Sequence, residues 1–224
     1  MHALTDLDDL LKTRELRAAF LAYTREAYAL LPVVGQPRIL DIGCGSGAVT
    51  IELARLSGSE VFGVDTDEAA LVEFRRRVEE AGLGHRVKAV NASLFDTGFA
   101  DESFDVLWEE GVLHLLDAAK GVQACRRLLR TKGHLVLHET AAWFEGNEAH
   151  LRASGFCTVH EYLLPKHCWW TDYYAPLEDR IRRLREERGH DFSSEKLAQH
   201  EREIAMVKAD PGRFDCGFFL LQRL

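Results

Sequence analysis

The sequence has no uninterrupted run of about 18 apolar residues, so no segment of it reads as a membrane-spanning helix. It also has no Cys-x-x-Cys pair. The five cysteines (Cys44, Cys125, Cys157, Cys168 and Cys216) are odd in number and lie far apart. That spacing argues against a disulfide framework and against a zinc site, and it predicts reduced thiols and no bound metal. A basic surplus is missing as well: the formal charge is −8 over 224 residues, which argues against a broad nucleic-acid footprint. The opening stretch "MHALTDLDDLLKTREL" carries acids where a secretory signal would need bases and then an apolar run, so a cytoplasmic protein is expected. There is no internal repeat, low-complexity tract or linker.

Hydrophobic residues make up 46% of the chain and charged residues 29%, enough for a sizeable core under a soluble surface. Leu4, Leu7, Leu11, Phe20, Tyr23, Ala27, Leu30 and Leu31 recur at roughly helical spacing and predict one or two amphipathic helices ending near Pro32. The rhythm then changes. Short apolar runs, "RILDI", "EVFGVD", "RVKAVN", "FDVLWEE" and "HLVLHE", alternate with the helical patterns "GAVTIELARLSG", "DEAALVEFRRRVEEAGL" and "DAAKGVQACRRLLRTKG". Such alternation implies right-handed crossovers and a parallel sheet covered on both faces, an α/β architecture. After a strand at "FCTVHEYLLP", the spacing predicts a helix over about 170–188 and another over about 194–208, then a turn at Asp210-Pro211-Gly212 and a terminal strand at "DCGFFLLQRL". The five arginines of "DRIRRLREERGHD" are interleaved with acids, which reads as an ion-paired solvated face and not as a nucleic-acid contact.

Residues 39–49, "ILDIGCGSGAV", place a glycine turn between a strand and a helix. Small residues there let a ligand approach the backbone, and the helix presents free N–H groups. A P-loop is excluded, because no Gly-Lys-Ser/Thr follows. A dinucleotide fingerprint is partly satisfied: Gly43, Gly45 and Ala48 fit G-x-G-x-x-A, and Asp65 ends the next strand, where a ribose-binding acid belongs. Asp41 weighs against it, since a carboxylate at the mouth of the turn would face an anionic pyrophosphate. It suits a cationic ligand such as an ammonium or sulfonium, or else it caps the turn.

With Gly47 the stretch reads Asp-x-Gly-x-Gly-x-Gly and resembles motif I of class I S-adenosylmethionine-dependent methyltransferases. "VFGVDTDEAAL" resembles the second motif, "AVNASLFDTGFADESFDVLWEEGVLHLL" the third and fourth run together, and "RRLLRTKGHLVLHE" the helix, turn and strand that follow. "WEEG", "HETAAWF" and "LLPKHCWWTDYYAPL" resemble members labelled similar to the ubiquinone/menaquinone-biosynthesis type. The resemblance implies a Rossmann-like sheet of seven strands in the order 3-2-1-4-5-7-6, the last antiparallel, with helices on both faces. It implies one methyltransferase domain over 1–224: an N-terminal helical cap over 1–34, a cofactor-binding core over 35–140 and a substrate-side part over 141–224. It also implies S-adenosylmethionine as cofactor, with S-adenosylhomocysteine as product. The cofactor would be held by Asp41, Gly43, Cys44, Gly45 and Gly47, by Asp65 and Thr66 at the ribose, by Asn91 and Ala92 at the adenine, and by Glu109. Asn91 stands where the family often has an acid, and Thr131-Lys132-Gly133 where a proline is usual.

Methyl transfer needs an aligned nucleophile, and a base only where the acceptor must lose a proton. Glu110 and Glu139 close apolar runs at the expected carboxyl edge and, with His114 in "GVLHLL", are the candidates for orienting an acceptor or taking its proton. For Glu109 and Glu110 the competing reading is a solvated or capping acid, and for His114 a hydrogen-bonded core histidine. His138 is expected to point opposite to Glu139. Trp143, Trp169, Trp170, Tyr173 and Tyr174 are expected to wall the pocket of a small-molecule methyl acceptor, or else to pack the C-terminal helix. Two other readings stay open: a non-catalytic protein that binds S-adenosylmethionine or S-adenosylhomocysteine, and a nicotinamide-dependent oxidoreductase.

Overall fold

The apolar runs pair into one sheet in the computed structural model, which describes residues 7–33, 35–188 and 194–224. Its strands are β1 (Ile39–Ile42), β2 (Val61–Asp65), β3 (Val87–Asn91), β4 (Phe104–Glu110), β5 (Leu129–Thr140), β6 (Phe156–Leu163) and β7 (Cys216–Arg223). They lie in the order β3-β2-β1-β4-β5-β7-β6. β7 runs antiparallel to both β5 and β6, while β1 to β5 pair in parallel. The order reverses between β1 and β4, the switch point at which open α/β sheets bind ligands. β1 is buried at all four positions, as a central strand covered on both faces must be, whereas the edge strands β3 and β6 are only partly covered.

By compactness the chain divides into two units. The larger, Tyr23–Leu163 with Cys216–Leu224, holds the whole sheet. Its helices are α4 (Ala48–Ser57), α5 (Glu68–Glu80), α6 (Ala118–Leu128) and α7 (Ala141–Ala153). Three of the four starts have a side-chain cap: Asp67 accepts from the N–H groups of Ala69 and Ala70, Asp117 from Lys120, and Thr140 from Trp143. One apolar core, including Leu40, Ile42, Leu107, Leu137, Phe144 and Phe219, covers one face of the sheet. The helical pattern read through Gly133 stops at Leu128. β5 takes over at Leu129, with Lys132 in the left-handed region at φ 67°.

The smaller unit joins the N-terminal stretch through Ala22 to Leu164–Asp215. It contains α1 (Leu7–Leu10), α2 (Thr13–Ala19), a π-helical turn (Trp169–Tyr174) that runs into α8 (Ala175–Arg188), and α9 (Glu195–Ala209). The N-terminal helical pattern is thus broken into short pieces, because Lys12 adopts φ 49° between α1 and α2. Leu4 lies outside the described residues. α3 (Leu21–Ala29) begins at the boundary of the two units. The arginines of α8 are engaged within the unit: Arg180 donates to the Leu11 and Lys12 carbonyls, Arg182 pairs with Asp179 and Arg185 with Glu201. Residues 189–191 of that basic stretch lie outside the described residues. No helix among the described residues is long and apolar enough to cross a membrane. Among them no group of three or more His, Cys, Asp and Glu side chains is placed to hold a metal ion.

Candidate functional site at the carboxyl edge of the sheet

The glycine turn leaves β1 and enters α4 through three residues with positive φ: Gly43 at 70°, Gly45 at 50° and Gly47 at 79°. The three are glycines for different reasons. A Cβ on Gly43 would overlap the Val112 side chain, and one on Gly47 would overlap the Phe74 ring, so both are required by protein packing. A Cβ on Gly45 would meet nothing within 4 Å, so the open backbone of the turn is at Gly45. The Gly43 and Cys44 N–H groups both donate to the Val64 carbonyl (2.8 and 3.1 Å). The Cys44 thiol is buried, and burial raises its pKa. Arg77, reaching from α5, donates to the Ser46 carbonyl and fixes the far side of the turn.

Three acids surround this turn. Asp65 accepts the Gly45 N–H through Oδ2 (2.8 Å) and the Asp67 N–H through Oδ1 (2.9 Å), so the expected ribose acid is also the brace of the loop. Asp41, 2% exposed, accepts from the Thr50 hydroxyl of α4 at 2.6 Å. Burial, reinforced by Glu110 and Asp65, pushes its carboxyl up to about 8. Glu110 accepts from the Trp108 indole N–H (2.8 Å) and the Thr24 hydroxyl (2.9 Å), and burial raises it to about 7. At the expected adenine side, the Asn91 amide donates to Glu68 at 2.8 Å, leaving its carbonyl as the acceptor. The Ala92 N–H donates to the Asp65 carbonyl (3.0 Å), and Thr66 is exposed.

Strand alternation sends successive side chains of β4 and β5 to opposite faces. Glu110 and His138 occupy the face of Asp41 and Trp108, with Phe218 stacked on the His138 ring at 4.5 Å. His138 Nε2 lies 3.3 Å from the Cys216 thiol, and burial lowers its pKa to about 4. Glu109 and Glu139 occupy the other face, above the apolar core. Glu139, 3% exposed, accepts the backbone N–H of His114 (3.0 Å) and faces His114 Nδ1 at 3.0 Å. The His114 side chain is 44% exposed, so the core-histidine reading does not hold: its ring lies at the surface, anchored by a buried acid. Glu109 is fully buried and binds the Val112 and Leu113 N–H groups, the second at 3.0 Å. It supports the turn between β4 and the short 3-10 helix Leu113–Leu115, and that turn's Val112 in turn packs against Gly43.

The predicted aromatic wall is divided between the two units. Trp143 stands in the first turn of α7, its N–H donating to Thr140, and packs on the core of the sheet. The other four belong to the smaller unit. Trp169 stacks on Phe20 (4.4 Å), Lys208 lies 5.5 Å from the Trp170 ring, and Arg17 lies over Tyr173, whose ring meets Tyr174 edge-on at 4.9 Å. At 1% exposure Tyr173 is a core residue of its own unit. Sequence reasoning missed the supporting roles of Thr24, Thr50 and Val112. Thr24 is 86 positions from Glu110 and Val112 is far from Gly43, and the remaining signal was the hydroxyl at Thr50, nine residues after Asp41.

Residues 40–137 match the family model described as a methyltransferase domain. A ubiquinone biosynthesis O-methyltransferase of Cereibacter sphaeroides is 36% identical over 125 residues, 55% of this chain and 48% of that protein. The chain spans about half the length of the curated relatives it matches first. A methyltransferase of Geobacter sulfurreducens, solved with S-adenosylhomocysteine, superposes with a TM-score of 0.67 at 21% identity, covering 92% of this chain and 91% of that one. The [4+2]-cyclase SpnF superposes with a TM-score of 0.74 at 16% identity, covering 89% and 80%. The sheet is that of the class I methyltransferase fold, and a fold hosts more than one chemistry.

Proposed function

We propose, from a methyltransferase domain over residues 40–137 set on the class I methyltransferase sheet, that this protein binds S-adenosylmethionine at the 43–47 turn. It transfers the methyl group to a small-molecule acceptor whose nucleophilic atom loses a proton to His114. The observation that carries the cofactor assignment is the open backbone of Gly45 among Asp41, Asp65 and Glu110. A bound sulfonium or ammonium would draw the raised carboxyls of Asp41 and Glu110 into their charged forms, which the pyrophosphate of a nicotinamide dinucleotide would not. Asp65 retains lone pairs for ribose hydroxyls after accepting two amides, because a carboxylate offers about four acceptor positions. When bound, S-adenosylmethionine supplies a methyl group made electrophilic by its sulfonium.

The chain's own contribution to the chemistry is a positioned proton acceptor. Nδ1–H of His114 donates to Glu139, which leaves the Nε2 lone pair free to accept a proton. As the acceptor's nucleophile bonds to the methyl carbon, its proton moves to Nε2, and the Glu139 carboxylate stabilises the imidazolium through Nδ1. Glu110, hydrogen-bonded on the opposite face, stands on the Asp41 side and serves the cationic end of the cofactor. Trp143, beside β5, contributes to acceptor selection.

The fold likeness to a cyclase supports one other reading, a protein that binds the cofactor without transferring its methyl group. Calorimetric titration of ligand-stripped protein with S-adenosylmethionine, S-adenosylhomocysteine and NAD tests the site. Binding of the first two alone is expected, and binding of NAD alone overturns the assignment. Release of S-adenosylhomocysteine in the presence of a phenol, amine and carboxylate panel then separates transferase from non-transferase.

A further inference from the structure

Three successive amides of one turn, those of Val112, Leu113 and His114, are distributed between two buried acids from adjacent strands: Glu109 takes the first two and Glu139 the third. The two acids share one face of the sheet, and the charge of Glu139 opposes ionisation of Glu109. Their surroundings differ. Glu139 faces an imidazole that is nearly half exposed and able to carry a compensating charge. Glu109 is fully buried, and its second oxygen, Oε2, has no hydrogen-bond partner among the described residues. A buried anionic oxygen without a partner is far costlier than a neutral hydroxyl in the same place.

We propose that Glu109 is a positioning residue for His114. With its proton on Oε2, it binds two amides of the turn as a neutral acid and leaves Glu139 as the single buried charge facing the imidazole. This rests on the reading of His114 as the base. The consequence is chemical: a neutral acid holds the turn without setting a second buried charge beside Glu139, so one carboxylate orients the ring through Nδ1 and Nε2 stays free. The other titratable groups about Glu109 are Cys125 from α6, a thiol that burial raises and keeps neutral, and Glu110 on the opposite face of β4.

The test follows the ring nitrogens of His114 by 15N NMR in the full chain at neutral pH, the resonances being identified by their loss in His114→Asn; it requires no cofactor and no acceptor, so it succeeds or fails separately from the methyl-transfer reading. Glu139→Gln, which removes the carboxylate partner of Nδ1, is expected to shift the ring resonances. Glu109→Leu, which cannot hold the amides, is expected to shift them similarly, and Glu109→Gln, which can, to restore the wild-type positions. If Glu109→Leu lowers only the melting temperature, Glu109 is merely structural; if Glu109→Gln shifts the ring resonances as far as Glu139→Gln, Glu109 carries a charge. Either result overturns the proposal. Should the variants fail to fold, wild-type protein labelled with carboxyl-13C glutamate provides the answer: one side-chain carboxyl is expected to keep the shift of a protonated acid through pH 8, and full ionisation by that pH overturns the assignment.

Discussion

Glu139 holds His114 twice, accepting its backbone N–H at 3.0 Å through Oε1 and facing its ring Nδ1 at 3.0 Å through Oε2. Main chain and ring are therefore fixed by one buried carboxyl at the end of β5, and the ring cannot turn without breaking a contact. Replacing His114 with Ala should lower methyl transfer by about 10²–10⁴-fold while S-adenosylmethionine affinity stays unchanged. Single-turnover transfer, measured beside calorimetry, checks this. Rates that stay at wild type would remove His114 from the chemistry.

The glycine turn separates packing from ligand contact. Gly47→Ala should destabilise the fold by about 1–3 kcal/mol, because the new methyl overlaps Phe74. Gly45→Ala meets no neighbour and should change stability by only about 1 kcal/mol through its positive φ, yet weaken cofactor binding. Melting temperatures and titrations of the two variants should rank in opposite order.

Asp65 performs two tasks, so its removal should have two effects. Asp65→Ala leaves the Gly45 and Asp67 amides without their acceptor and removes the proposed ribose contact. Cofactor affinity should fall by about 1.5–3 kcal/mol, and the melting temperature should fall as well. Unchanged affinity in a destabilised variant would make Asp65 a brace alone.

His138 introduces an acid-sensitive term. Its folded pKa of about 4 lies below the ordinary histidine value, so between these the unfolded chain binds a proton that the native chain does not. Stability therefore falls as pH drops from about 6.5 toward 4, by on the order of 3 kcal/mol in all. Glu110 and Asp41 act with the opposite sign. Their raised values mean that the native state holds protons the unfolded chain has released, and stability falls as pH rises toward about 7 and about 8 respectively. Denaturant titrations across this range should show His138→Phe flattening the acid limb and Glu110→Gln the neutral one.

Much of the sheet was legible because its signals are local. Apolar runs bounded by turn residues became the strands, and the starts of α5, α6 and α7 have their caps beside them in the sequence, at Asp67, Asp117 and Thr140. The left-handed conformation of Lys12 was not legible, since the local sequence prefers continued helix, whereas that of Lys132 falls at the turn read before the fifth strand. Nor was the division of the aromatic residues, with Trp143 on the sheet unit and Trp169 to Tyr174 in a core of their own.

By itself, the sequence determined the α/β class and the position of a glycine turn, because periodicity and glycine spacing act over a few residues, and its resemblance to a family implied the strand order. Only the tertiary structure decided which glycine is open and which are closed by Val112 and Phe74. It alone decided that Asp65 braces the loop, and that neighbouring acids of β4 serve opposite faces of the sheet. It brought Glu139 beneath His114, 25 positions earlier in the chain. Contacts of that range follow from strand register and burial, and a one-residue slip would exchange every one of them.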